Sequence, residues 1–207
     1  MPHDHDHSEH EALIIEDEAG NIQAQIVVDA LQQVLISKGL LTAREVTAAI
    51  AKLESPGLHL GAKIIAKAWT DPEYKERLLA DGRAAVQELD IPVTEARIIV
   101  VENTAQVHNL ITCTLCSCYP RSILGQPPSW YISKAYRARS VREPRRVLQE
   151  FGLDLPRDMK LVVHDSNADM RYLVLPEPPH DFELRTTSDL EAMISRDHLI
   201  GVARDVV

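Results

Sequence analysis

The placement of the cysteines constrains this chain more than any other feature. All three lie within six residues, in Cys113-Thr-Leu-Cys116-Ser-Cys118. Three is too few, and an odd number, for a disulfide framework, because one thiol would always be left over. The fold must therefore rest on a hydrophobic core, which a hydrophobic content of 45% permits.

Charge is distributed unevenly along the 207 residues, whose formal net charge is −9. Residues 1–37 contain eight acidic side chains and neither Lys nor Arg, which argues against nucleic acid as a partner. The opposite bias occurs in Arg121–Arg146, with seven basic residues and one acid. This stretch lacks the interleaved aromatic residues of a nucleic-acid motif, so we expect its arginines to form ion pairs instead.

Neither a membrane span nor a secretory signal is predicted. No apolar run approaches the roughly 20 residues that a transmembrane helix needs, and the N-terminus lacks a basic region followed by an apolar stretch. We expect a cytoplasmic protein.

Hydrophobic periodicity divides the chain into three parts. Residues 1–20 are polar and rich in His and Asp, so we predict a flexible head; delivery of metal ions is the alternative. Residues 21–57 have apolar side chains at helical spacing, and Thr42 and Glu45 form a capping-box pattern, which predicts a helical arm. Residues 58–207 form the main domain. An α+β fold is predicted, in which the arm precedes a layered α-β-β-α metal-binding domain.

Within the domain, apolar patterns and turn residues predict the individual elements. The predicted helices are Gly61–Trp69, Pro72–Leu89 with Gly82 as a weak point, Ser129–Arg139, Pro144–Phe151 and a last helix headed by the capping box Ser188–Glu191. The predicted strands are Arg97–Glu102, Val107–Thr112, Lys160–Asp165 and Met170–Leu175.

The cysteine cluster follows a predicted strand and admits several interpretations. Structural zinc takes four ligands, so a distant His would have to complete the site; inert buried thiols are another possibility. A third interpretation uses the backbone nitrogens of Ser117 and Cys118 together with the sulfurs of Cys116 and Cys118, arranged in one plane, with the Cys113 sulfur on the axis. Such anionic sulfur and nitrogen ligands favour a trivalent transition metal, whose sixth position would act as a Lewis acid.

At these residues the chain resembles the metal-binding α subunit of nitrile hydratase and the related γ subunit of thiocyanate hydrolase. The resemblance covers roughly residues 25–203. Besides Cys113–Pro120, the motifs that carry it are His59–Lys63, Lys67–Lys75, Leu79–Gly82, Val101–Thr104, Leu124–Gly125, Pro128–Tyr131, Val141–Arg145, Asp165–Ser166, Met170–Tyr172 and Leu199–Val202.

The resemblance implies a reaction and a metal. Cys113, Cys116 and Cys118 would supply sulfur ligands, and Ser117 and Cys118 backbone nitrogens, to one cobalt(III) per chain. Thr114 follows the pattern of cobalt members, and iron is the less favoured metal. The cysteines that match Cys116 and Cys118 are oxidised in the family to sulfinic and sulfenic acids. The reaction would be hydration of a nitrile to its amide, through attack on the nitrile carbon by the sulfenate oxygen or by an activated water.

The resemblance also implies pocket residues and a partner. Ser117 and Tyr119 would line the pocket beside Cys118. A β-type subunit, whole or split into two chains, would close the site and supply arginines that hold the oxidised sulfurs. Arg142 and Arg145 match family positions and are predicted to brace the site or the subunit interface.

Two departures from the family keep alternatives open. Arg121 stands where nitrile hydratases usually have an aromatic residue, which favours a subunit of thiocyanate hydrolase as the second hypothesis. The loop Pro179–Thr187 lacks the family's Gly- and Trp-containing sequence, which affects partner contacts rather than the metal site. A non-catalytic metal carrier or a redox sensor that uses the same cysteines is a third hypothesis.

Overall fold

A computed structural model describes residues 18–116 and 118–206 of the chain. Most of the predicted head (residues 1–17) and Ser117, a predicted ligand and pocket residue, therefore lie outside the described residues. The chain divides into two compact units, one ending at Ser55 and the other beginning at Pro56.

The first unit contains two helices, α1 (Glu18–Ser37) and α2 (Ala43–Glu54). The predicted capping box at the start of α2 is confirmed. The Glu45 amide donates to the Thr42 hydroxyl at 3.2 Å, and the Thr42 amide donates to the Glu45 carboxylate at 2.8 Å. These bonds satisfy two N–H groups that have no partner inside the helix. None of the helices in the described ranges is long and apolar enough to span a bilayer.

The second unit combines short helices with four strands, which confirms the predicted α+β class. Its helices are α3 (Leu58–Thr70), α4 (Pro72–Ala80), α5 (Gly82–Gln87), α6 (Arg121–Leu124), α7 (Ser129–Ile132), α8 (Lys134–Arg142), α9 (Pro144–Glu150), α10 (Thr187–Met193) and α11 (Arg196–Ile200), with a 3₁₀ turn at Phe182–Leu184.

Two helices predicted as continuous are each interrupted. Asp81 separates α4 from α5 and accepts a hydrogen bond from the Ala84 amide at 3.1 Å. Ser133 separates α7 from α8 and accepts from the Tyr136 amide at 3.1 Å. In both cases a short polar side chain offers the backbone a cap that competes with an unbroken helix.

The C-terminal prediction needs one correction. Helix α10 begins after Thr186, whose hydroxyl accepts from the Asp189 amide at 3.2 Å, so the capping box is Thr186–Asp189 and not Ser188–Glu191. Helix α11 was not predicted at all. With five residues it is too short to show a helical repeat, and the Ser195 side chain that caps it is its main local signal.

The four strands have the predicted bounds: β1 (Arg97–Glu102), β2 (Val107–Thr112), β3 (Lys160–Asp165) and β4 (Met170–Leu175). Strands that are neighbours in sequence do not pair. Instead β1 pairs in parallel with β4, with Arg97 opposite Met170, and β2 pairs in parallel with β3, with Thr112 opposite Asp165. Helix α8 packs on β2, and α11 packs on both β2 and β4. The pairing places the carboxyl ends of β2 and β3 side by side.

Gly201, directly after α11, is expected to be intolerant of any side chain. It has φ +85°, and a Cβ there would overlap the carbonyl oxygen of Asn109. We predict that Gly201→Ala lowers the free energy of unfolding by about 4 kcal/mol, since backbone strain and overlap in the core act together.

Gly152→Ala is the matched control, because Gly152 also has φ +85° but nothing within 4 Å of its Cβ position. It should cost about 1–2 kcal/mol, the cost of left-handed backbone. Denaturant titration of both variants measures the difference, and equal losses would show that the contact with Asn109 is unimportant.

Candidate metal site

The cysteine loop begins where β2 ends. Thr112, the last residue of β2, lies opposite Asp165 at the end of β3, and the Ser166 amide donates to the Thr112 carbonyl at 2.8 Å. A four-residue turn, residues 166–169, then leads into β4. The loop therefore lies where the carboxyl ends of one parallel pair meet the amino ends of the other, a position that frequently holds ligands in α/β proteins.

The fold brings the three predicted sulfur ligands together. Their Sγ atoms all lie within 4.8 Å of one another. The separation is 3.5 Å between Cys113 and Cys116 and 2.9 Å between Cys116 and Cys118. None of the three is in a disulfide; Cys113 and Cys118 are buried and Cys116 is exposed. The thiols form a compact set of soft ligands that opens to solvent on one side.

Burial disfavours the thiolate form of Cys118. It raises the pKa of Cys118 to about 12, with further upward contributions from hydrogen bonds to Cys116 and Cys113 and an opposing effect of Arg171. A coordinated metal cation reverses this balance, because it deprotonates the thiols that bind it. Metal binding at this loop therefore releases protons.

Three side chains outside the loop hold its backbone, and sequence reasoning gave none of them this role. The Thr114 amide and hydroxyl donate to the Asp165 carboxylate at 2.9 and 2.6 Å. Arg137 donates to the Cys116 carbonyl and the Tyr131 hydroxyl to the Cys118 carbonyl, each at 2.8 Å. Partners that orient a metal loop in this way fix its ligands before the metal arrives. No local sequence signal predicts them, since they depend on which segments pack around the loop.

A pocket of about 540 Å³ adjoins the cysteines. Tyr119 and Arg121, both predicted at the pocket, lie in its wall. Arg171, at the start of β4, adds a second guanidinium group. Tyr119 is buried, its hydroxyl oxygen has no hydrogen-bond partner among the described residues, and burial raises its pKa. The lining residues are Thr94, Glu95, Ala96, Cys116, Cys118, Tyr119, Arg121, Ala168 and Arg171.

The other two predicted arginines lie elsewhere. Arg142 is exposed at the end of α8. Arg145 donates to the carbonyl groups of Leu155, Pro156 and Met159, so it braces the loop that leads to β3. Neither is among the residues that line the pocket beside the cysteines.

These features define a protein with a metal-binding loop of three thiols, placed at the carboxyl end of a parallel strand pair in an α+β domain. The family model for the nitrile hydratase α chain matches residues 22–203. The chain belongs to this family, as its sequence predicted.

Individual relatives agree with this assignment. The chain is 45% identical to the α subunit of the low-molecular-weight cobalt-containing nitrile hydratase of Rhodococcus rhodochrous, over 85% of this chain and 86% of that subunit. Identity to the thiocyanate hydrolase γ subunit of Thiobacillus thioparus is 38%, over 86% of this chain and 79% of that one. A solved structure of a double-mutant Fe-type nitrile hydratase from Comamonas testosteroni Ni1 superimposes with a TM-score of 0.82 at 42% identity, covering 89% of this chain and 91% of that one.

Proposed function

We propose that this chain is the metal-binding α subunit of a cobalt nitrile hydratase that converts a nitrile to its amide in the cytoplasm. The observation that carries the proposal is the cluster of three Sγ atoms within 4.8 Å, beside a pocket at the end of β2. In this proposal residues 58–207 are the catalytic domain and residues 21–57 are the arm.

The donor set fits a transition metal better than structural zinc. A structural zinc site takes four protein ligands, whereas the three cysteines are the only His, Cys, Asp or Glu side chains that cluster here among the described residues. Anionic sulfur and nitrogen ligands favour an ion with directional d-electron preferences. Cys113, Cys116 and Cys118, with the backbone nitrogens of Ser117 and Cys118, would hold the ion.

Cobalt is favoured over iron by Thr114 and by the cobalt-containing relatives. An Fe-type enzyme among the structural relatives makes iron the alternative. The bound ion would supply a Lewis acid that polarises the nitrile.

The chain's own residues would position the loop and bind the substrate. Asp165 holds the loop through Thr114, and Arg137 and Tyr131 hold it through the carbonyls of Cys116 and Cys118. In the proposal the oxidised Cys118 carries the nucleophilic oxygen, and Ser117 and Tyr119 line the substrate pocket. Because the loop is held at three points, its sulfurs need little rearrangement during the reaction.

A β-type partner subunit, whole or split into two chains, is part of the proposal. The first unit presents a large apolar surface on α1, formed by Ile22, Ile26, Val27, Val28, Leu31 and Val34, each 48–66% exposed. Exposed apolar surface of this extent is typical of a protein–protein contact. We propose that the partner covers it and completes the site with arginines.

A subunit of thiocyanate hydrolase is the second candidate, because Arg121 lies in the pocket wall. Its guanidinium group could attract the thiocyanate anion, whereas it could equally donate hydrogen bonds to a polar or bulky nitrile. We favour the nitrile, since the cobalt nitrile hydratase relative is the more similar of the two.

Metal analysis and a substrate comparison test the proposal together. We expect about one tightly held cobalt per chain and added oxygen atoms on the peptide that contains the cysteines. The assembled enzyme should hydrate a neutral heteroaromatic nitrile faster than it hydrolyses thiocyanate, at low and at high salt. Labile zinc with unmodified thiols would instead indicate a metal carrier or a redox sensor.

Arg121→Trp provides the discriminating variant. If thiocyanate is converted far faster than the nitrile and this substitution removes the preference, the chain is a thiocyanate hydrolase subunit and our proposal is wrong.

A further inference from the structure

A buried carboxylate in the pocket wall has no part in the metal site described above. Glu95 lies in the loop before β1 and is only 9% exposed. It is the one acidic residue among the described residues that line the pocket with Cys116 and Cys118. A carboxylate is rarely kept away from water unless hydrogen bonds compensate for its lost hydration.

The compensating hydrogen bonds come from a single residue, Ser122, which is itself buried. The Ser122 amide donates to Oε1 of Glu95 at 3.1 Å, and the Ser122 hydroxyl donates to Oε2. Ser122 lies in the first turn of α6, whose N-cap is Pro120, a residue without a side-chain acceptor. Glu95 thus satisfies, from 27 residues away, an N–H group that a local cap would normally satisfy.

This contact determines how the α6 turn is held at the pocket. Ile123 and Leu124 anchor the turn in the core, where both are fully buried. On the pocket side the Ser122–Glu95 contact fixes it. Arg121 is the neighbour of Ser122 in sequence and lines the same pocket as Glu95. The contact therefore ties together the wall formed by residues 94–96 and the wall that carries Arg121.

We propose that Glu95 is the positioning residue that clamps the α6 turn through Ser122 and so fixes Arg121 for substrate binding. The expected change in KM rests on the proposed function, whereas the clamping of the α6 turn does not. Glu95 acts on affinity through the pocket wall and does not contact the reacting atoms.

Kinetics of the assembled cobalt enzyme with a neutral heteroaromatic nitrile test the proposal. For Glu95→Ala we expect KM to rise about tenfold and kcat to change less than about threefold, since binding geometry is lost while the metal loop is kept. Cobalt content should stay at the wild-type value. Glu95→Gln keeps an acceptor for the Ser122 amide and should restore KM to within about threefold of wild type.

Two further variants test whether Glu95 acts through the turn. In an Arg121→Ala background, Glu95→Ala should raise KM less than about twofold, because coupled residues are not additive. Ser122→Ala removes one of the two hydrogen bonds and should give an intermediate KM. Glu88→Ala is the matched control: Glu88 is an exposed carboxylate paired with Arg77 and does not line the pocket, so KM should not change.

Amide hydrogen exchange gives a readout that needs no catalysis. Exchange of the amides of residues 121–124 should accelerate in Glu95→Ala and stay at the wild-type rate in Glu88→Ala. If the wild-type enzyme hydrates no nitrile, the proposed function has failed and exchange alone decides the role of Glu95. Unchanged exchange, additive effects of Glu95 and Arg121, or no rescue of KM by Glu95→Gln would each overturn the inference. If Glu95→Ala does not assemble, the other two variants decide. Ser122→Ala should then give a raised KM and faster exchange, and Glu95→Gln a KM within about threefold of wild type.

Discussion

The Cys118→Ser variant is expected to lose cobalt and to show no measurable nitrile hydration. Cys118 is buried with its Sγ 2.9 Å from that of Cys116, and both sulfurs would hold the same ion in the proposed site. Serine can provide neither the soft sulfur ligand nor an oxidised sulfur oxygen. Because the ligands act as a unit, we expect activity to fall by at least about a thousandfold.

Cobalt analysis and a hydration assay on the assembled enzyme measure this effect. Cys113→Ser and Cys116→Ser should behave alike, since each removes a ligand of the same ion. Leu115→Ser is the matched control, because Leu115 lies in the same loop, is 84% exposed and has no sulfur; its cobalt content should remain normal. A Cys118→Ser enzyme with near-normal cobalt and activity would refute the assignment of this residue.

The isolated chain is expected to be nearly inactive, and a β-type partner is expected to restore turnover by about a hundredfold or more. This chain has arginines of its own near the cysteines, but the arginines proposed to hold the oxidised sulfurs belong to the partner. Removing one hydrogen-bond donor from an active site typically lowers turnover by about a hundredfold or more. Light scattering together with the hydration assay, with and without the co-expressed partner, measures the effect. Full turnover by a strictly monomeric preparation would contradict the prediction.

The apolar surface of α1 allows a sharper version of this experiment. Ile26→Asp combined with Leu31→Asp should prevent assembly, because two charges would replace side chains that the partner is proposed to cover. Gln33→Asp is the control, since it adds a charge on the same helix without removing an apolar group. Equal assembly of both variants would show that this surface is not the contact.

Sequence reasoning predicted the cysteine cluster better than the residues that surround it. The spacing of Cys113, Cys116 and Cys118 predicted the cluster because three residues of one loop cannot lie far apart. The roles of Asp165 and Arg137 were missed because they approach the loop from segments 51 and 21 residues away. The contact between Glu95 and Ser122 was missed for the same reason, since it joins the loop before β1 to α6, which is too short to show a periodic pattern.

What the sequence by itself determined is local. Short runs of β-type residues bounded by turn residues set the bounds of all four strands, and the Thr42–Glu45 pattern set the start of α2, because these signals act within a few residues. The tertiary structure alone decided that β1 pairs with β4 and β2 with β3. Parallel pairing requires a long connection, and its partner is chosen by how the helices between the strands pack in the core. That choice places Asp165 beside Thr114 and Arg171 at the pocket, and so builds the surroundings of the cysteines.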